Sequence, residues 1–94
     1  MVEYYDEDIT LEEQALAVQR RINDGTIWHL EGSAGRLAMD LIEQGYCMLP
    51  KTRRSDIYGN HIPSRDDLKP GTLGTWGYVV AHRGRSWAAR LVRA

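Results

Sequence analysis

One stretch of the chain has glycine spacing suited to phosphate chemistry: Gly32-Ser33-Ala34-Gly35-Arg36. Helix N-termini attract anions because free backbone N–H groups and the helix dipole point outward there. Glycine lets a backbone approach a ligand closely, and Arg36 would add positive charge. A P-loop, however, needs four residues between its glycines, then Lys and Ser or Thr, after a strand. GSAGR meets neither condition. GSAG also matches the GxxG loop of KH RNA-binding domains, but that fold wants a strand before its helix pair. The acidic amphipathic segment 10–22 does not supply one. The stretch therefore reads as the start of a helix, with Ser33 as its cap and the glycines easing close packing. No cofactor is expected.

Other chemistry-bearing residues are scattered. His29, Cys47, His61 and His82 are metal-ligand types, yet none has CxxC, HxxxH or comparable spacing, so no metal site is expected. The same residues carry no local mark of a Cys–His nucleophile pair. Asp40 and Glu43 stand three apart on a helical stretch and read as a solvated face. No catalytic residue is assigned, and the chain reads as a non-enzyme.

The basic residues say more. Lys51, Arg53 and Arg54 cluster in one polar stretch; His82, Arg83, Arg85, Arg90 and Arg93 cluster around Trp87. Cations beside aromatic rings suit phosphate contacts and base stacking. Against that, Trp76 and Trp87 fall on apolar helix faces where core packing is expected. The sequence pI of about 6.3 also lacks the basic excess of a dedicated nucleic-acid binder.

The elements that must position these residues are mostly helical. Thr10 and Glu13 have capping-box spacing. Leu11, Ala15, Val18 and Ile22 then form one helical stripe, stopped at Asn23-Asp24-Gly25. Ala34, Leu37, Ala38, Leu41 and Ile42 form a second stripe ending at Gly45. It either extends back to a cap at Thr26 or starts near Ser33 after a short turn. Tyr46 to Leu49 reads as a short strand stopped by Pro50, with Lys51 to Asp56 a polar loop and Ile57 to Ile62 the returning strand. Pro63 to Gly74 is turn-rich, and Ser64 with Asp67 suits one capped helical turn. Trp76, Val79 and Val80 start a third helix. A break at Gly84 separates it from Trp87, Ala88, Leu91 and Val92, with Ser86 as the last cap. The expected fold is mainly α, or α+β if the hairpin forms: three to four helices and a short two-stranded β-hairpin. Residues 1–9 form an acidic arm and 10–94 one domain.

Composition bounds the rest. Ninety-four residues suffice for one modest core. Phenylalanine is absent, so Trp28, Trp76, Trp87 and five tyrosines are expected to supply the large apolar surfaces. The single cysteine excludes an intrachain disulfide and suits a reducing cytosol. The opening MVEYYDEDIT has no apolar run of signal-peptide type, and no stretch is apolar enough to cross a bilayer. A cytoplasmic protein with no membrane partner is expected. Net charge is −1, but unevenly placed. Residues 1–13 hold six carboxylates and no cation, whereas the remainder holds twelve basic and seven acidic groups. Such an acidic block is either a solvated end, an arm for a basic partner, or a cover for the protein's own basic surface.

With WHLEGSAGRLAMDLIEQGYCMLP, YGNHIPSRDDLKPGT and YVVAHRG, residues 26–84 resemble a group of small uncharacterised proteins encoded by phages of actinobacteria. The resemblance implies a short phage product working in the host cytoplasm by binding a host or phage macromolecule. It carries no catalytic residue, cofactor or defined partner. The expected function is therefore binding and modulation of a host or phage protein. Tyr4, Tyr5, Asp6, Glu7, Asp8 and Tyr58 are the candidate contacts, on a surface formed by residues 1–13 and 46–62. The alternative is a nucleic-acid-binding regulator with Arg83, Arg85, Arg90 and Arg93 on phosphates. Apolar stripes on so short a chain also allow burial against a second copy, so a homo-oligomer stays open.

Overall fold

The structure is a computed structural model and describes residues 10–30 and 32–94. Among the described residues, four helices, α1 (Leu11–Asn23), α2 (Gly32–Glu43), α3 (Trp76–Arg83) and α4 (Arg85–Val92), are joined by a 3₁₀ turn (Thr26–His29) and a two-stranded hairpin. The hairpin pairs β1 (Arg54–Ser55) antiparallel with β2 (His61–Ile62), Arg54 opposite Ile62 and Ser55 opposite His61. No helix among the described residues is long and apolar enough to cross a membrane.

Local sequence accounts for the helix ends. The Thr10 hydroxyl accepts from Glu13 N–H, while the Glu13 carboxylate accepts from Thr10 N–H, the reciprocal capping box. Gly25 ends α1 at φ +84°, a backbone region that costs other residues about 1–2 kcal/mol. The 3₁₀ turn follows it, so the second stripe is split: the main helix starts at Gly32 after a separate turn. Ser33 therefore lies inside the first turn of α2 and not at its cap. Likewise Ser86 lies inside α4, because the helix break falls at Gly84 as expected.

The core is aliphatic. Val18, Ile22, Ile27, Ile42, Met48, Val79 and Leu91 are fully buried in one contiguous cluster, and Trp87 is its one buried aromatic. Trp28 and Tyr46 pack only partly against that cluster. Trp76, expected on a core face, is 44% exposed. It is the first residue of α3, beside the Thr75 cap that accepts from Tyr78 N–H, and the helix turns its buried face toward Val79.

Tyr46 to Leu49 is not a strand, which corrects the expected pairing. Its backbone is bonded instead to the end of α2, a side chain and a loop: Tyr46 and Cys47 N–H to the Leu41 carbonyl, Met48 N–H to Gln19 Oε1 (2.7 Å) and Leu49 N–H to the Gly74 carbonyl (2.9 Å). The hairpin's first strand arises from the stretch expected as a polar loop. Ser64 and Asp67 close a turn, Asp67 N–H to the Ser64 carbonyl and Ser64 N–H to the Asp67 carboxylate, without a helical turn.

Candidate functional site

Two adjoining concavities meet at Leu30, which lines both. The 3₁₀ turn and the hairpin contribute walls to each of them. Two stretches separate in sequence, 24–39 and 53–62, therefore build one surface.

Its position is set by the end of α1. The final carbonyls of a helix lack intrahelical donors and attract cations. Here the Asn23 carbonyl accepts from Arg54 Nη2 (2.7 Å) and Nε (3.2 Å), which draws β1 against α1. The Arg54 side chain crosses directly over Gly25, where a Cβ would stand 3.0 Å from Arg54 Cδ. The Asn23 side chain adds further ties, accepting from Arg65 Nη2 and Gln19 Nε2 and donating to the Ala94 carbonyl. His29 Nε2 lies 2.9 Å from the Ser55 carbonyl. A carbonyl only accepts, so Nε2 carries the hydrogen and the tautomer is fixed.

The hairpin tip is shaped by Asp56. One of its carboxylate oxygens accepts from the Tyr58 and Asn60 N–H groups (both 2.9 Å), and the other from the Asn60 side chain. With Gly59 N–H on the Asp56 carbonyl, this makes the tight loop expected of a short hairpin. The bonds from Asn60 foremost, with Tyr58 N–H and nearby His29, hold the Asp56 carboxyl below its ordinary range despite slight burial. The turn thereby displays Ile57 and Tyr58 outward, 55% and 82% exposed.

The first concavity is an apolar groove of about 610 Å³ between α2 and this tip. Ile27, Trp28 and Leu30 lie at its base; Gly35 and Met39 of α2 face Ile57, Tyr58 and Ile62 across it. A Cβ on Gly32 or Gly35 would meet nothing within 4 Å, so these glycines do not ease packing against a neighbouring element, contrary to expectation. Gly35 instead leaves the α2 wall open. Trp28 Nε1 is the one buried side-chain polar atom among the described residues with no hydrogen-bond partner. Burying a donor unpaired costs about 1–3 kcal/mol, so a polar defect sits in the groove's own tryptophan.

The second concavity, about 730 Å³, carries basic groups on a largely apolar wall: Arg53, Arg54, His29 and His61 line it with Asp24, Ser55 and Leu30. The carboxylates around this surface are internally committed. Partial burial would raise the Asp24 carboxyl, but bonds from the Thr26 hydroxyl and N–H, with Arg21 and Arg54 nearby, hold it below the usual range. Asp67 receives a two-pronged contact from Arg53 (2.8 and 3.0 Å) and a bond from Ser64 N–H, which lower its carboxyl to about 2. Arg54, by contrast, donates to a neutral carbonyl, so its charge is not cancelled by a bonded carboxylate.

The remaining candidate residues fall elsewhere. Tyr4, Tyr5, Asp6, Glu7 and Asp8 lie outside the described residues. Of the phosphate candidates, Arg83 is held by the Gln44 carbonyl and stacks 3.9 Å over the Tyr46 ring, while Arg90 pairs with Glu12 and faces Trp87. Arg85 and Arg93 are exposed. His82 stacks on Tyr78 and donates from Nδ1 to the Tyr78 carbonyl, which leaves it apart from His29 and His61. Cys47 is buried with Sγ on the Ala15 carbonyl, and that burial pushes its thiol far up. Among the described residues, no group of His, Cys, Asp or Glu is arranged to hold a metal ion. Asp40 and Glu43 are both exposed on α2.

Sequence reasoning placed residues 46–62, and with them Arg54, Ile57 and Tyr58, on the expected contact surface, but named only Tyr58 of these as a contact and did not join Trp28 and Met39 to it. A usable signal was present. Ile57-Tyr58 sits between Asp56 and Gly59-Asn60, a turn composition that gives two large apolar side chains nowhere to be buried. No protein-family model matches the chain, and no curated protein or solved structure matches it either.

Proposed function

We propose that this chain is a small non-enzymatic accessory protein of phage type that binds and modulates another protein, of the phage or its host, in the host cytoplasm. The groove between α2 and the hairpin tip is the docking surface. One observation carries the reading: of the six large apolar side chains exposed among the described residues, Met39, Ile57 and Tyr58 converge on this groove. Scattered exposed apolar residues are ordinary, but a contiguous set rimmed by polar groups marks an interaction surface. Large side chains projecting beside a pocket are also the usual anchors of protein interfaces.

The test is affinity capture from the natural host with wild-type protein and with Met39→Glu, which places a carboxylate on the groove wall. A partner recovered by wild type and lost from a Met39→Glu protein of unchanged thermal stability supports the reading. Equal recovery by both, or recovery of no partner by either, overturns it.

A further inference from the structure

The geometry points to an acidic partner segment, one that sets a large apolar side chain in the groove and an Asp or Glu carboxylate in the neighbouring Arg54 pocket. This deepens the docking reading above and rests on it. The two concavities share Leu30, so a single bound segment passes from one to the other without leaving the surface.

Charge complementarity selects the carboxylate. Three carboxyl groups around the surface, among the described residues, already have internal donors: Asp24 from Thr26, Asp56 from Tyr58 and Asn60, Asp67 from Arg53 and Ser64. The cations are less fully used. Arg54 spends two N–H groups on the Asn23 carbonyl, and its other guanidinium N–H groups have no partner among the described residues. His61 is exposed and has no side-chain partner among the described residues. Arg36, exposed on the groove's α2 wall, has none among them either. An incoming anion thus meets unspent donors, whereas an incoming cation meets carboxylates that already accept two or three internal hydrogen bonds each. Guanidinium–carboxylate bonds are about twice as strong as neutral ones and are directional, which gives this pocket selectivity beyond the apolar anchor.

The test pans a random-peptide display library against the full chain and three variants. Met39→Glu blocks the apolar groove. Arg54→Gln removes the guanidinium, and Ser55→Glu places a carboxylate in the same pocket while leaving Arg54 and its bonds in place. Ser55→Glu therefore keeps the test decisive should Arg54→Gln fail to fold. Wild type is expected to enrich peptides that join Asp or Glu to an aromatic or branched aliphatic residue, with Ser55→Glu enriching the apolar residue alone. In a synthetic peptide from the wild-type pool, replacing the acid by its amide should weaken binding to wild type about tenfold and binding to Ser55→Glu not at all.

Enrichment of apolar peptides without acid, lost with Met39→Glu and unchanged with Ser55→Glu, overturns the carboxylate inference and leaves the groove reading standing. No enrichment, or enrichment indifferent to all three variants, overturns both. A single-stranded oligonucleotide that displaces the peptide with steep salt dependence overturns the acidic-peptide inference in favour of phosphate recognition.

Discussion

The side-chain amide of Gln19 closes a two-way hydrogen bond with the backbone of Met48: Met48 N–H donates to Oε1 at 2.7 Å, and Nε2 donates to the Met48 carbonyl at 3.1 Å. Gln19 is fully buried on α1, and Met48 is fully buried on the segment beyond α2. The amide does what a neighbouring strand would otherwise do, satisfying donor and acceptor of one buried peptide position. Near-isosteric Gln19→Met removes both bonds and leaves both backbone groups dry. Each orphaned group costs about 1–3 kcal/mol, so a loss of about 3 kcal/mol is expected. Urea denaturation should show a lower midpoint with an unchanged slope.

That pairing also explains where the sequence stopped being informative. Tyr46-Cys47-Met48-Leu49 has strand-like composition, but Tyr46 and Cys47 N–H turn back to the Leu41 carbonyl, Met48 is bonded to Gln19, 29 residues upstream, and Leu49 to Gly74, in a distant turn. Periodicity cannot see such partners. Contiguous signals were read well: the Thr10–Glu13 box, the stop at Gly25 and the break at Gly84 each depend on neighbours within four residues. Trp76 was misplaced because helical spacing fixes which residues share a face without saying how far along the helix that face stays covered. The groove was illegible for a stronger reason. It exists only once the 3₁₀ turn, α2 and the hairpin tip are brought together.

Two glycines should respond to alanine in opposite senses. Gly74 has φ +93°, and a Cβ there would stand 2.8 Å from Leu49 Cγ and 2.9 Å from Leu49 Cδ1, inside the core. Backbone strain and overpacking together should cost Gly74→Ala at least about 2 kcal/mol. Gly35 is a helical residue with open space at its Cβ position, so Gly35→Ala should stabilise the protein by about 0.5–1 kcal/mol. The added methyl narrows the groove on its α2 wall. Thermal melts and peptide titrations of both variants check the pair; a destabilised Gly35→Ala would return that glycine to a packing role.

Acid should weaken the ties around the hairpin in a defined window. Bonds from Arg53 and Ser64 lower the Asp67 carboxyl to about 2, against about 3.9 for an unperturbed Asp. A depressed folded-state value means the contribution is present above about pH 4 and is lost as pH falls toward 2. Asp67→Asn removes the charge at every pH. Its stability deficit relative to wild type should therefore be largest near neutrality and shrink steadily between pH 4 and 2 in paired thermal melts. A deficit constant across that range would show that the Arg53 pair adds nothing to folding, the common outcome for an exposed ion pair.

Tyr58 should separate binding from folding. Its ring is 82% exposed, so Tyr58→Ala removes little buried surface and should change unfolding free energy by less than about 0.5 kcal/mol. An aromatic anchor at an interface is worth more, and its loss should weaken partner affinity at least tenfold, or about 1.4 kcal/mol. Asp56→Ala should behave differently, because Asp56 orders the turn that carries Tyr58 by accepting from the Tyr58 and Asn60 N–H groups. It should cost about 1–2 kcal/mol of stability and also weaken binding, since a loosened tip must be ordered again when the partner docks. The double variant then distinguishes the roles. If Tyr58 binds only from an ordered turn, adding Asp56→Ala to Tyr58→Ala lowers affinity by less than the sum of the single losses, and calorimetry on the four proteins measures that coupling.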